Sequence, residues 1–110
     1  MYIVVLVTAS SKEEAEKIAS GLLEAKLAAC VNIITNVHSR FWWEGKIDRA
    51  EEALLIIKTR KPLFNKLLKK VKSLHSYAVP EIIALPIAAG NAQYLDWLSE
   101  STRQSFHSLS

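Results

Sequence analysis

The 110-residue sequence contains one cysteine, three glycines and three prolines. Because Cys30 has no partner within the chain, an intrachain disulfide and a Cys-x-x-Cys metal or redox pair are both excluded, which is typical of a reducing compartment. No apolar run is long enough to span a bilayer, and the first one, YIVVLV, starts at residue 2 without a basic leader. These absences predict a cytoplasmic protein with no membrane partner. We expect one domain, residues 1–104, followed by a Ser-rich tail, residues 105–110, that frays.

Signatures of the common enzyme classes are also missing. The glycines stand singly, so there is no Gly-rich phosphate-binding loop, and neither G-x-S-x-G nor H-E-x-x-H occurs. The basic segment TRKPLFNKLLKKVK is interpreted as a solvated helix face, and the alternative is a face that attracts nucleic acid, phosphate or acidic ligands. The strand before it, EEALLIIKT, lacks the aromatic signature of RNA-recognition domains. The sequence therefore predicts that the protein is not an enzyme and does not bind nucleic acid.

What is present is a single series of strand and helix patterns. YIVVLV is typical of a central strand, and a capping box of Ser11 and Glu14 begins a helix over about residues 12–26. The β-branched and aromatic run AACVNIITNVHSRFWW turns at Gly45 and returns as IDRAEEALLIIKT, which predicts a long β-hairpin. Pro62 opens a second helix that ends near His75, and EIIALPI and AQYLDWLSEST follow as a strand and a last helix.

The resulting order, β-α-β-β-α-β plus a C-terminal helix, predicts an α+β protein with the ferredoxin-like fold. Crossover handedness favours an antiparallel sheet of strand order 4-1-3-2, and Pro86 in the last strand agrees with an edge position. Two helices can cover only one face of this sheet, yet YIVVLV and ALLIIKT are apolar on both faces. We therefore expect a homo-oligomer whose subunits pack sheet to sheet.

The segment LHSYAVPEII, residues 74–83, holds the candidate site residues. His75 is interpreted either as a metal ligand or as a helix C-terminal residue whose ring bonds a carbonyl group. Tyr77 and Glu81 are candidates for a ligand pocket or a subunit interface. Tyr77 would pack its ring and bond through its hydroxyl, and Glu81 would either pair with a basic residue across the interface or stay exposed.

Cys30 and Lys58 complete the residues considered for such a pocket. A thiol that opens a strand after small apolar residues is, however, typically buried and inert. Trp42 and Trp43 stand next to each other at the end of the hairpin, so they point to opposite faces and cannot both be core in a lone monomer. Together with Trp97 of the last helix, they are predicted to anchor a subunit interface.

Five stretches, in register over nearly the whole chain, carry a family resemblance. They lie between about residue 3 and residue 98 and read LAACVNI, FWWEGKI, IIKT, LHSYAVPEIIALPI and GNAQYLDWL. In order and spacing they resemble the CutA divalent-cation tolerance family. The resemblance implies a ferredoxin-like homotrimer that acts in tolerance of copper or other divalent metals. It further implies that the protein binds Cu(II) or a similar ion rather than catalysing a reaction.

The same resemblance indicates where metal ligands would stand. Bacterial members have proposed ligands at a cysteine near the end of the first strand and at two adjacent histidines, and the matching positions here are Val7, Leu74 and His75. Only His75 is a metal-binding residue type, so the other ligands would come from a neighbouring subunit or from solvent. The alternative is a PII-like trimeric sensor or scaffold that holds a small anionic ligand between subunits. The tight turn at Gly45 argues against it, because it leaves no long mobile loop.

Overall fold

The computed structural model describes residues 1–104, so the tail predicted to fray lies outside the described part. These described residues form four strands, three α-helices and one 3-10 turn at Lys61–Leu63. In chain order the strands and helices are β1 (Tyr2–Ala9), α1 (Lys12–Glu24), β2 (Cys30–Trp43), β3 (Lys46–Arg60), α2 (Phe64–Leu74), β4 (Ile82–Pro86) and α3 (Ala92–Ser101). The predicted element order is confirmed.

The four strands form one antiparallel sheet of order β2-β3-β1-β4, which confirms both the α+β class and the expected strand order. Pro86 ends β4 opposite Ile3, on the edge of the sheet. A proline is tolerated there because an edge strand needs hydrogen bonds on one side only. The two central strands, β1 and β3, are therefore the ones that lie between neighbours on both sides.

The core lies between the sheet and the two helices α1 and α2. Alternate residues of β1 and β3 turn toward the helices, because side chains of a strand alternate between its faces. The members of this core that are fully buried and apolar include Val5, Val7, Leu55 and Ile57 of the sheet and Ile18, Leu22, Leu67 and Val71 of the helices. Each such side chain contributes roughly 1.5–3 kcal/mol by its removal from water.

Helix α1 begins and ends at residues suited to those positions. The Ser11 hydroxyl accepts a hydrogen bond from the Glu14 amide at 3.1 Å, as the capping box predicts. The helix ends at Glu24, two residues before the expected end, because Lys26 takes a left-handed conformation with φ 57°. A residue in that conformation cannot continue an α-helix, and the chain turns there toward β2.

The other face of the sheet, which we call the open face, is only partly covered. Helix α3 lies against one end of it, where the Tyr2 hydroxyl bonds Ser99 at 2.7 Å and the Arg60 guanidinium donates to Thr102. Elsewhere on this face Ile34, Ile83 and Leu85 remain about half exposed, at 46%, 51% and 49%. Among the described helices, none is long and apolar enough to cross a membrane.

The hairpin of β2 and β3 extends beyond the rest of the sheet. Strand β1 pairs with β3 only as far as Ala53, so the part of β3 before it pairs with β2 alone. We call residues 37–52 the hairpin arm. It starts at a bulge between Ile34 and Val37 and turns at Glu44 and Gly45, both with positive φ as a tight hairpin turn requires. The arm exposes Trp42 and Trp43, at 73% and 61%.

Candidate functional site

His75 follows the last residue of α2 and ties the chain there to β1. Its imidazole is fully buried. The Nε2–H donates to the Thr8 carbonyl oxygen at 2.7 Å, and Nδ1 accepts the Tyr77 amide at 3.0 Å. The carbonyl that the ring bonds therefore belongs to a strand, and not to the last turn of its own helix. In this geometry both ring nitrogens have a partner, so neither presents a lone pair to a metal ion.

Glu14 holds the same segment from the other side. Its carboxylate accepts the Ser76 amide at 2.7 Å and the Ser10 amide at 2.8 Å, and it also accepts the Ser10 hydroxyl. Burial raises the pKa of Glu14, but the hydrogen bonds from Ser10 and Ser76 outweigh it and lower the pKa to about 2. The carboxylate is thus ionised at every physiological pH, and it lies 3.9 Å from Nδ1 of His75.

Tyr77 connects this segment to the hairpin arm. Its ring packs at 4.7 Å from the ring of His75, and its hydroxyl donates to the Glu52 carboxylate at 2.8 Å. Burial, together with the acceptor Glu52, raises the pKa of Tyr77 to about 12. The hydroxyl therefore stays protonated and remains a hydrogen-bond donor. The ring packing and the hydroxyl bond that the sequence predicts for Tyr77 at a subunit junction are thus both made within one chain.

Tyr77 and Glu52 line an open cleft of about 850 Å³ between the hairpin arm and the 77–81 segment, whereas His75 and Glu14 do not. Three carboxylates line it, from Asp48, Glu52 and Glu81, against the single guanidinium of Arg40. The remaining lining residues are aromatic, small or hydroxylated, namely Thr8, Ser39, Phe41, Trp43, Tyr77, Ala78 and Val79. Inside a chain of net charge +3, the cleft is therefore a negatively charged region.

The residues predicted from the sequence fall into two separate groups. Tyr77, Glu81 and Trp43 line the cleft, whereas Lys58 and Cys30 face each other across β2 and β3 near the opposite end of the sheet. The Lys58 ammonium donates to Asn32, and the half-buried Cys30 thiol lies 3.9 Å from the same amide oxygen. The four pocket candidates, Tyr77, Glu81, Lys58 and Cys30, therefore do not form a single pocket within one chain.

A second aromatic group accompanies Cys30. Burial and the neighbouring thiol of Cys30 raise the pKa of Tyr94, whose ring packs 5.4 Å from that of Trp97 on α3. Trp97 is 47% exposed and, like Trp42, does not line the cleft. The three tryptophans predicted for a subunit interface are thus all exposed on this chain, two of them on the hairpin arm and Trp97 on α3.

The comparison with known proteins identifies the family. A model of the family described as CutA1 divalent ion tolerance protein matches residues 3–101. The chain belongs to this family. The Divalent-cation tolerance protein CutA of Thermus thermophilus is 52% identical over 99 residues, which cover 90% of this chain and 96% of that protein. The resemblance found in the sequence is confirmed.

Two further CutA relatives extend the comparison. Protein CutA 1, chloroplastic, of Oryza sativa subsp. japonica is 52% identical and covers 94% of this chain, which spans 58% of the rice protein's length. The solved structure of the periplasmic divalent cation tolerance protein CutA from Archaeoglobus fulgidus has a TM-score of 0.91 and 50% identity, and it covers 94% of this chain and 100% of its own. The family is named for tolerance of divalent ions and not for a catalysed reaction.

Because the CutA family is named for tolerance of divalent ions, we looked for side chains that could together hold a metal ion. Within residues 1–104, no group of three or more His, Cys, Asp and Glu side chains is placed to hold a metal ion. Three carboxylates line the cleft without forming such a group, and sequence reasoning missed two of them, Asp48 and Glu52. Glu52 and Leu54 are two residues apart in β3, so their side chains lie on the same face of the sheet, the open face. The contact of Glu52 with Tyr77, in contrast, depends on the tertiary structure.

Proposed function

We propose that this CutA protein binds divalent metal ions, Cu(II) among them, as a homotrimer that acts in metal tolerance or response and catalyses no reaction. The observation that carries the proposal is the family match over residues 3–101, together with a Thermus relative of nearly equal length that is named for divalent-cation tolerance. The cytoplasm is the proposed location, because a lone cysteine suits a reducing compartment.

The cleft is the proposed place of metal binding. Its carboxylates, from Asp48, Glu52 and Glu81, outnumber its one cation, and carboxylate oxygens are ligands that divalent ions accept. The Tyr77 hydroxyl occupies one oxygen of Glu52 and leaves the other for a ligand. Because one described chain brings no three ligands together, water or a neighbouring subunit would complete the coordination. For His75 to bind metal through Nδ1, it would have to release the Tyr77 amide.

The open face supports the oligomer. Ile83 and Leu85 of β4 are about half exposed, and Ile34 of β2 is exposed to a similar degree. A neighbouring subunit that packed its own open face there would remove this apolar surface from water, at roughly 25 cal/mol per Å². The exposed Trp42 and Trp43 on the hairpin arm are the proposed anchors of the same contact. The proposed number of subunits, three, is taken from the family resemblance.

The charge of the cleft weighs against a small anionic ligand, the alternative function considered from the sequence. An anion bound there would meet three carboxylates and one guanidinium, and like charges at short range disfavour binding. Lys58, the candidate cation for such a ligand, lies outside the cleft and donates to Asn32. Metal binding is therefore the function that the geometry favours.

Calorimetric titration of the full chain tests the proposal, with Cu(II) and Mn(II) as the metal probes and ATP as the anion. We expect saturable metal binding that weakens about tenfold or more in Glu52→Gln or Glu81→Gln. Glu16→Gln, on the exposed face of α1, is the matched control and should leave it unchanged. ATP binding without any metal response would contradict the proposed function, and sedimentation as a monomer at micromolar protein would contradict the oligomer.

A further inference from the structure

The charges of this chain are strongly segregated. Residues 53–80 contain seven of the fourteen lysines and arginines and none of the eleven acidic residues. That segment therefore carries a formal charge of +7, and the rest of the chain carries −4. Such a local excess of one sign creates a positive potential that the modest net charge of +3 conceals.

The folded chain concentrates part of this excess on the outer side of α2. Lys66, Lys69 and Lys72 stand three residues apart, on the side of the helix opposite the buried Leu67 and Val71, and all three are exposed. We call these three lysines the basic stripe. Within residues 1–104, the carboxylates at ion-pair distance from a basic side chain contact His75 and Arg103, so no lysine of the stripe is paired.

The position of the stripe leaves it accessible. Helices α1 and α2 cover the sheet face opposite the open face, so the stripe points away from the surface through which subunits would pack. None of the exposed large hydrophobic side chains belongs to α2. Helix α2 therefore presents charged side chains to a partner and has no exposed large apolar side chain to insert into a bilayer. A helix that binds a membrane buries such side chains in it, so α2 is not of that kind.

The size of the basic stripe and the charges beside it favour one class of polyanion over the others. Three residues of helix rise about 4.5 Å and fall about 60° short of a full turn, so the stripe runs roughly 9 Å along α2 and slants across the outer side of a helix about 10 Å wide. The adjacent helix α1 exposes Glu13, Glu16 and Glu24 along with its lysines. A duplex nucleic acid or an anionic bilayer is broader than α2 and would bring its phosphates against these glutamates as well.

We propose that the basic stripe of α2 is a docking surface for an acidic polypeptide segment of a partner protein. An extended segment advances about 3.3 Å per residue, so alternate carboxylates on one side recur at a spacing that lysines on successive turns can reach. The contact is electrostatic and exposed, so it weakens as salt is raised. In an oligomer, several copies of the stripe on one particle would add avidity to a contact that is weak singly.

Fluorescence anisotropy on the full chain tests this proposal, with a labelled oligoglutamate peptide, a duplex DNA and phosphatidylserine-containing vesicles as probes. We expect saturable binding of the peptide at low salt, and binding about tenfold weaker in the triple variant Lys66→Gln, Lys69→Gln, Lys72→Gln. The matched control is Lys12→Gln, Lys17→Gln, Lys26→Gln, which removes the same charge from exposed positions in and after α1 and should bind as the unmodified chain does.

Two results would overturn the assignment. Equal weakening in both triple variants would mean that net charge alone attracts the peptide. Tighter binding of the DNA or of the vesicles than of the peptide, at the same salt concentration, would assign the stripe to a phosphate surface instead. Circular dichroism of each variant checks that the helix content is retained. All substituted lysines are exposed and glutamine is a good helix former, so we expect unchanged spectra.

Discussion

Glu14 is expected to make the stability of the fold depend on pH. Its carboxylate is 11% exposed and accepts hydrogen bonds from Ser10 and Ser76, which lower its pKa from an ordinary 4.5 to about 2. Since the folded pKa lies below the unfolded one, the carboxylate stabilises the fold fully above pH 4.5 and loses that contribution as the pH falls toward 2. The difference corresponds to about 3 kcal/mol at neutral pH.

The variant Glu14→Gln measures this contribution. Its amide oxygen still accepts a hydrogen bond but carries no charge, so we expect a loss of about 2–3 kcal/mol in the free energy of unfolding at neutral pH. Urea denaturation at a fixed protein concentration, followed by circular dichroism across acidic to neutral pH, provides the values. The stabilities of variant and unmodified chain should draw together as the pH falls toward 2 and coincide below it, because Glu14 is then protonated in the folded state as well as in the unfolded one.

Glu16→Gln serves as the control, because it removes the same charge from an exposed position in the same helix, two residues after Glu14. It should change the free energy of unfolding by less than about 0.5 kcal/mol at any pH. A difference between Glu14→Gln and the unmodified chain that stayed constant from neutral to acidic pH would refute the reasoning. It would mean that packing of the side chain, and not its ionisation, provides the stability.

Three further changes have expected outcomes. Tyr77→Phe removes the donor to Glu52 and should cost about 1 kcal/mol by urea denaturation, while in the unmodified chain a spectrophotometric titration should find one tyrosine with a pKa of about 12. Leu67→Ala empties a fully buried core position and should cost about 2–5 kcal/mol, and a smaller loss would indicate that α2 collapses to fill the space. Gly45→Ala puts a side chain at φ 79° in the hairpin turn and should lower the free energy of unfolding by about 1 kcal/mol. An unchanged midpoint of urea denaturation would show that the turn relaxes without cost.

Much of the architecture could be predicted because its signals are local. The capping box of Ser11 and Glu14, the proline before α2 and the alternation of the strands each depend on residues a few positions apart. Element ends were less readable: the end of α1 depends on the left-handed conformation of Lys26, a non-glycine residue for which the sequence carries no strong stop signal, and Pro62 opens a 3-10 turn before α2 and not α2 itself. The sequence also predicted that both faces of the sheet are apolar. The half-exposed Ile83 and Leu85 lie on the face that the helices α1 and α2 do not cover.

The candidate site was predicted in part. Tyr77 and Glu81 were singled out, because an aromatic ring and a carboxylate beside a turn are visible in a short stretch of sequence. The bond of Tyr77 to Glu52 joins residues far apart in the chain, and the bond of His75 to the Thr8 carbonyl spans most of the domain. No periodicity reports such contacts, because they arise only when the sheet register and the helix packing are both set.

The sequence by itself determined the order of the elements, the faces they bury and the family to which the chain belongs. The first two follow from patterns that neighbouring residues impose on the backbone, and the family follows from the resemblance of five stretches in register. Only the tertiary structure decided that the Glu14 carboxylate accepts the Ser76 amide, that His75 and Tyr77 are hydrogen-bonded to each other with Tyr77 reaching Glu52, and that Lys58 and Cys30 lie at the other end of the sheet. The physical reason is that strand pairing and helix packing place distant residues within hydrogen-bonding distance, which composition and spacing do not encode.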